Sequence, residues 1–495
     1  MKFIVDTSKT VKQLNNFWNH IHFHPTDAIE DDWGQRILNR VADDGVAKTV
    51  RMYAMLEDIV TMDEKGNLQY DFTLNDTRMD YMIEKGFNIF LSYNFIPPCI
   101  SSDPDELSTV CKNKTRYKGK FIVTAPPKDY KLWEEICRVY TKHIVERYGL
   151  SKVKEWRLQC LNEPDLFKFF MYNCNDTVER VTEYNKLYYH FQKGILSVSD
   201  ELSVGGPALS HDFDFMDLFL KYVRESGCKL DYICFHTYGT TPGYLNEGSK
   251  PFNVRNSIEK INKIKAIMSN NGLGDKPIII DEWGMACCGY YNIEECPDLF
   301  IRETEVFSAY YTRMLTLYDE LELGIEQMMI CLSGQHEMVV DFSGFRNFFT
   351  LNFFAKPIYN AFKLAGRLGE EKLWCNTENI TDEYSILPTK TKKGTTAVLL
   401  SRCADNLKEL KSEKVEIEFA GLTGNEKARL WIIDKDNANA YEEFKKSGAP
   451  ENLTEEQILH IRKNAECSAT EIELKNNTIS FVMNSHSTIL LEIME

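Results

Sequence analysis

Hydrophobic residues along this chain follow two alternating rhythms. Short runs dense in Ile, Val, Leu, Phe and Cys recur through the first two thirds, and between most of them apolar positions repeat at spacings of three and four. The first rhythm is that of strands buried on both faces, the second that of amphipathic helices. Strands are predicted over 17–24, 48–53, 87–94, 156–161, 202–206, 230–236, 277–282 and 325–332, with helices such as 133–148 and 178–198 between them. Strands alternating with helices imply a parallel sheet, and eight such units imply a closed (β/α)8 barrel. The segments around Pro97-Pro98 and Pro126-Pro127 read as long loops. After Gly369 the texture changes. Segments 414–419, 427–433, 471–474 and 478–483 alternate polar with apolar residues as half-buried strands do, and 455–464 reads as a charged, solvated helix. Residues 5–14 read as a short edge segment. The expectation is an α/β protein: a TIM barrel over 14–360, with a smaller β-rich, sandwich-like domain from 1–13 and 361–495.

Composition narrows the partners. At 495 residues the chain exceeds the size at which one core stops growing, in keeping with two domains. A formal charge of −16 repels phosphate backbones and anionic headgroups, which argues against nucleic acid or membrane and for a neutral substrate. No stretch has the length and apolarity of a bilayer span, and the first residues lack a signal-peptide core. The 14 cysteines are scattered with no Cys-x-x-Cys pair, several inside apolar strands where a thiol acts as a small hydrophobe. A reducing, cytoplasmic setting is expected. Cys287-Cys288 reads as two loop thiols. No cofactor is expected, and homo-oligomerisation is left open.

Candidate chemistry centres on Leu161-Asn162-Glu163-Pro164-Asp165, at the end of the fourth barrel strand. Pro164 prevents a helix from starting there and favours an extended Glu163. Three βα units later, Ile278-Ile279-Ile280 again ends in carboxylates, Asp281-Glu282, followed by Trp283. Both glutamates then reach the C-terminal face, where barrel enzymes place their sites. Two facing carboxyl groups suit glycoside hydrolysis, one donating a proton to the leaving oxygen and the other attacking the anomeric carbon. Glu163 is the better acid/base, because the Asn162 amide can hold a sugar hydroxyl beside it, and Glu282 the better nucleophile. As ordinary strand-end ion pairs they would have no reason to recur in this spacing.

Asn162-Glu163-Pro164 with a second Glu three strands on resembles the large clan of retaining glycosidases. Within it the chain resembles glycoside hydrolase family 39, of β-xylosidases and α-L-iduronidases, over nearly its full length. The resemblance is carried by Phe17-Trp18, Ala125-Pro126-Pro127-Lys128-Asp129-Tyr130 with Trp133, and Arg147-Tyr148-Gly149 leading through Trp156 to Glu163. It continues through Val204-Gly205-Gly206-Pro207-Ala208, Asp231-Tyr232 leading to His236, and Ala355-Lys356-Pro357. It implies a retaining exo-glycosidase for short oligosaccharides, β-xylosidase first, with Glu163 as acid/base, Glu282 as nucleophile, and Asn162 and His236 lining the sugar subsite. The chain departs from the family in Leu161 before the motif, in Arg51-Met52-Tyr53 on the second strand, and in Gln335-His336-Glu337 after the eighth. Thr237-Tyr238 replaces a basic pair that holds uronates, which disfavours a uronic acid. An arabinosidase, glucosidase or galactosidase of the same family is the alternative.

His20, His22 and His24 alternate on the first strand and share a face, so zinc is a competing reading, with His236 as a further ligand and a metal-dependent barrel hydrolase as the outcome. Sugar hydroxyls are the reading taken here, with no metal. Substrate contacts are expected from Asn162, His236, Tyr238, His22, Tyr53, Trp283 and Glu337, and Phe169, Phe170 and Tyr290 are further aromatic candidates.

Overall fold

The computed structural model describes residues 1–23, 29–108, 122–240, 252–287, 289, 291–333, 338–378, 380–424 and 426–494. Strand β1 (Lys2–Gln13) precedes the barrel. The barrel strands are β2 (His20–Phe23), β3 (Thr49–Tyr53), β6 (Asn88–Tyr93), β7 (Arg157–Cys160), β8 (Val204–Leu209), β9 (Tyr232–Thr240), β10 (Ile278–Ala286) and β11 (Ile325–Leu332), while β4 (Val60–Met62) and β5 (Leu68–Tyr70) form a hairpin beside it. All eight barrel strands pair in parallel and in chain order, with β11 closing on β2. Nearly every residue in them is buried, which accounts for their continuous apolar runs.

Helices cover the barrel, and three of them start at acidic caps that the sequence supplies. Asp129 accepts from Lys131 N at the head of Tyr130–Tyr148, Asp176 caps Thr177–Leu196, and Asp212 caps Phe213–Ser226. Trp133, Tyr184, Tyr188 and Phe191 fill the layer between these helices and the strands. Among the described residues no helix is long and apolar enough to cross a membrane.

The β-rich part is one nine-stranded mixed sheet of β1, β12 (Glu371–Cys375), β13 (Tyr384–Lys390), β14 (Thr396–Arg402), β15 (Glu413–Ala420), β16 (Lys427–Ile433), β17 (Thr470–Ile472), β18 (Thr478–Met483) and β19 (Ser487–Met494). It folds around its own core of Phe3, Val5, Ile386, Val398, Ile417, Ile479 and Leu491. Its other face, through Leu387, Leu399 and Leu490, joins the barrel's core. One expectation is corrected in part: the first half of β1, through Asp6, is not an edge. It lies between β12 and β15, antiparallel to the first and parallel to the second. The second half of β1 pairs with β12 alone, is largely exposed, and is correspondingly polar.

Candidate active site

Paired residues on adjacent parallel strands face the same side, so register decides what meets inside the barrel. Cys331 of β11 pairs with His22 of β2, and His22 with Arg51 of β3, placing three side chains in one row on the inner wall. Farther round, Glu282 of β10 pairs with His236 of β9. The β10–β9 register slips between Ile280 and Glu282. Such a bulge turns two successive side chains to one face, and Asp281 and Glu282 both meet interior groups. Asp281 Oδ2 accepts from Gln159 Nε2 at 2.6 Å and lies 3.1 Å from Arg51 Nη2. Glu282 Oε1 accepts from Arg51 Nη1 at 3.2 Å.

Arg51 is the hub. It is fully buried and also donates to Gln159 Oε1 at 2.7 Å and to Asn162 Oδ1 at 2.6 Å. Burial alone would lower its pKa, but Asp281 and Glu282 raise it. Its Nη1 lies 2.6 Å from His22 Nδ1, which must therefore accept. Burial and the adjacent guanidinium push His22 down to about 4, so its imidazole is neutral. The Tyr53 ring lies 5.2 Å from the guanidinium carbon and 5.4 Å from the His22 ring.

Around Glu282, Tyr238 Oη donates to Oε2 at 2.9 Å and accepts from Arg346, whose Nη1 is 3.8 Å from the same oxygen. Gly289 makes room for that guanidinium: a Cβ there would meet Arg346 Nη2 at 2.1 Å. The Cys331 thiol lies 3.6 Å from Glu282 Oε2. Burial would raise the Glu282 carboxyl, but the His236 imidazolium and Arg51 hold it well below the usual range.

Glu163 enters from the turn after β7. The extended backbone expected for it is corrected: its φ is +47°, and Leu161 stands at +57°. Two ties hold this turn in the left-handed region. Glu163 N donates to Ala208 O at 3.1 Å, and the buried Asp165 carboxylate accepts from Ser210, His211 and Asp212 N at 3.0, 2.8 and 3.0 Å. The turn is thus fastened to the end of β8. Strain of about 1–3 kcal/mol at such a φ persists where surroundings over-determine it. Glu163 Oε1 lies 2.8 Å from His236 Nδ1, which is 3.7 Å from Glu282 Oε2, while His236 Nε2 is 3.6 Å from Asp281 Oδ2. Burial would lower His236, but Glu282, Asp281 and Glu163 push it up to about 10. Carboxylate oxygens of Glu163 and Glu282 and a His236 ring nitrogen lie within 4.8 Å of one another.

Of the residues expected at the site, Glu163, Glu282, Asn162, His236, Tyr238, His22 and Tyr53 come together. Trp283 does not. It follows the bulge and faces outward, stacked on Tyr310 at 5.3 Å with Nε1 donating to Tyr318. Glu337, His24 and Tyr290 lie outside the described residues. Phe169 stacks on Phe95 at 6.2 Å, and Phe95 packs against Tyr53; Phe170 is buried.

The zinc reading meets a physical obstacle. Donors of metal type converge as His22–Glu282–Cys331 and as Glu163–His236–Glu282, neither of which includes His20. The Arg51 guanidinium already supplies positive charge against the first set, and in the second His236 Nδ1 and Glu163 Oε1 are already engaged with each other at 2.8 Å. His20, deeper in the barrel, is pushed down to about 3 by burial.

Gln159, Arg346 and Cys331 were not singled out from sequence, and Arg51 and Asp281 were noted there without a role at the site. Arg51 and Gln159 carried a signal, being charged or amide side chains inside runs that read as buried on both faces. Arg346 comes from a loop without periodicity and carried none.

A closed (β/α)8 barrel whose C-terminal mouth holds two facing carboxyl groups amid hydrogen-bond donors is the architecture of a glycoside hydrolase. The profile described as Glycosyl hydrolases family 39 matches residues 1–476, and the chain belongs to that family. It is 24% identical over 513 residues to a β-xylosidase of Caldicellulosiruptor saccharolyticus, covering 100% of this chain and 98% of that one. A β-xylosidase of Geobacillus stearothermophilus is 25% identical over 391 residues, 77% of this chain and 71% of its own. Among solved structures, a monomeric β-xylosidase from Caulobacter crescentus CB15 shares the fold with a TM-score of 0.82 at 18% identity, over 99% of both chains.

Proposed function

We propose that this glycoside hydrolase is a retaining exo-β-xylosidase acting on short neutral oligosaccharides by double displacement. The observation that carries the retaining mechanism is the approach of Glu163 and Glu282 oxygens to within 4.8 Å. Carboxyl groups about 5–5.5 Å apart leave no room for the water an inverting enzyme places between them.

Glu282, held ionised by Arg51 and His236 and oriented by Tyr238, attacks the anomeric carbon. The proton shared in the His236–Glu163 hydrogen bond passes to Glu163 and from it to the departing oxygen, and Glu163, then a carboxylate beside a neutral imidazole, takes one from the water that breaks the glycosyl-enzyme. His236 bridges the pair and keeps Glu163 turned toward Glu282. With its Oδ1 engaged by Arg51, Asn162 offers its Nδ2 to a sugar hydroxyl. Xylose is supported by the curated relatives named as β-xylosidases. Free cysteines buried in the core, such as Cys137, Cys160 and Cys234, support a reducing, cytoplasmic setting.

The test combines variants with added nucleophile on a panel of nitrophenyl glycosides. Glu282→Ala abolishes turnover of the xyloside. Glu163→Ala spares substrates with good leaving groups, and azide restores its second step as a glycosyl azide of retained configuration. Inverted product, or equal and unrescued losses in both variants, overturns the mechanism; preference for another sugar overturns only the xylose assignment.

A further inference from the structure

Outside the barrel mouth, a cleft of about 890 Å³ runs between the helices Arg255–Asn270 and Glu305–Glu320 and the barrel-facing side of β12 and β13. It has the volume of a ligand site and lies where such sites often form, at the seam between two packed units. None of the residues described at the active site lines it.

Two features show that the packing here is incomplete. Ser385 Oγ and Arg313 Nε are sealed from solvent and find no hydrogen-bond partner among the described residues, and both residues border the cleft at 2% and 6% exposure. Buried polar groups are rarely left so, and two of them beside one cleft mark a seam that does not close tightly. Arg313 donates elsewhere through Nη1, to Cys403 O.

Charge and surface define what would fit. Three basic and three acidic side chains line the cleft, and Arg255 and Asp382 face each other at 3.8 Å. A balanced lining gives no net attraction for an anion or a cation but many donors and acceptors for hydroxyl groups. Trp374, half-buried with the Lys9 ammonium 5.0 Å from its ring centre, supplies an aromatic surface, and exposed Asn262 adds an amide. Aromatic area among neutralised polar groups suits a polyhydroxylated neutral chain.

We propose that this cleft is a second, non-catalytic glycan site that holds a neutral oligosaccharide on the flank of the barrel. Its ligand class rests on the carbohydrate reading of the mouth. Such a site would keep a longer substrate close to the mouth through many cleavage events, raising its local concentration without taking part in the chemistry.

The test uses full-length Glu282→Ala protein, which binds without turnover, titrated with xylotetraose, cellotetraose and arabinotetraose by calorimetry. At least one of these sugars is expected to fill two sites. Adding Trp374→Ala, or Asn262→Trp to plug the cleft from an exposed helix position, weakens one of the two by roughly tenfold or more and leaves the other. In otherwise wild-type protein both changes leave kcat/KM for a nitrophenyl xyloside unaltered. A single site for all three sugars, or two sites indifferent to both substitutions, overturns the proposal. If no aryl glycoside is hydrolysed while plug-sensitive binding persists, the catalytic reading fails and the cleft stands.

Discussion

His236 Nδ1 lies 2.8 Å from Glu163 Oε1, so the two carboxyl groups of the site communicate through one imidazole. Burial would strip that ring of its proton, but Glu282, Asp281 and Glu163 keep it on, up to about pH 10 against an ordinary 6.5. The consequence for stability has a definite sign. A group whose pKa is raised on folding contributes fully below its unfolded pKa and loses that contribution as pH rises through the folded value. Wild-type protein should therefore lose stability between about pH 6.5 and 10. His236→Gln should be less stable at pH 6 and decline less steeply over the same range. Glu282 works in the opposite sense: its lowered pKa supplies stability above the ordinary carboxylate range, lost only as pH falls through its folded value. Melting temperatures of both proteins at pH 6, 8 and 9.5 read the difference, and parallel curves would sink the assignment.

Arg51 faces Asp281 and Glu282 with all three side chains buried, and removing one member of a buried charge cluster leaves the others uncompensated. Arg51→Met is expected to cost about 3–5 kcal/mol in denaturant unfolding. It also frees Asn162 Oδ1 and His22 Nδ1, so kcat/KM should fall on the order of 10²–10³-fold. Arg51→Lys should recover little of this, because one ammonium cannot serve Gln159, Asn162, His22 and Glu282 together. A variant with unchanged stability would mean that the carboxylates are compensated elsewhere.

The barrel was legible because each of its strands is buried on both faces and so reads as an unbroken apolar run between helical repeats. Strands 427–433 and 478–483 were found at their observed bounds for the opposite reason: one face is wet, and polar residues alternate with apolar ones. Strands β13, β14 and β19 were missed because neither template fits them. Ile386, Val398 and Leu491 enter the sheet's own core, while Leu387, Leu399 and Leu490 enter the barrel's. Their burial comes from a neighbouring unit that no local pattern describes. The same limit applied at the site. Glu163 and Glu282 stood out by motif, and Trp283 was misplaced because the bulge before it reverses which side chain faces inward.

Chelation separates the two chemistries offered by the histidines of the first strand. Arg51 Nη1 lies 2.6 Å from His22 Nδ1, where a bound dication would have to displace it. Prolonged treatment with EDTA followed by gel filtration should leave kcat and KM unchanged, and added zinc should not raise activity. Loss on chelation with recovery on zinc would reinstate the metal reading.

Asp165 gives the most discriminating test of how Glu163 is held. Its Oδ1 accepts from Ser210 N and its Oδ2 from both His211 and Asp212 N, while two residues earlier Glu163 N reaches Ala208 O on the same stretch. The carboxylate thus fixes the distance between the Asn162-Glu163 turn and the end of β8. In Asp165→Asn one oxygen becomes an amino group that faces backbone N–H donors, leaving at least one of them buried and unsatisfied at about 1–3 kcal/mol. The turn must then move, and Glu163 with it. Proton donation matters little for a nitrophenolate, which leaves unaided, and greatly for a sugar alkoxide. The variant should therefore keep most of its activity on nitrophenyl xyloside and lose roughly tenfold or more on xylobiose, a difference of about 1.4 kcal/mol in transition-state stabilisation. Equal losses on both substrates would mean that Asp165 supports the fold without positioning the acid.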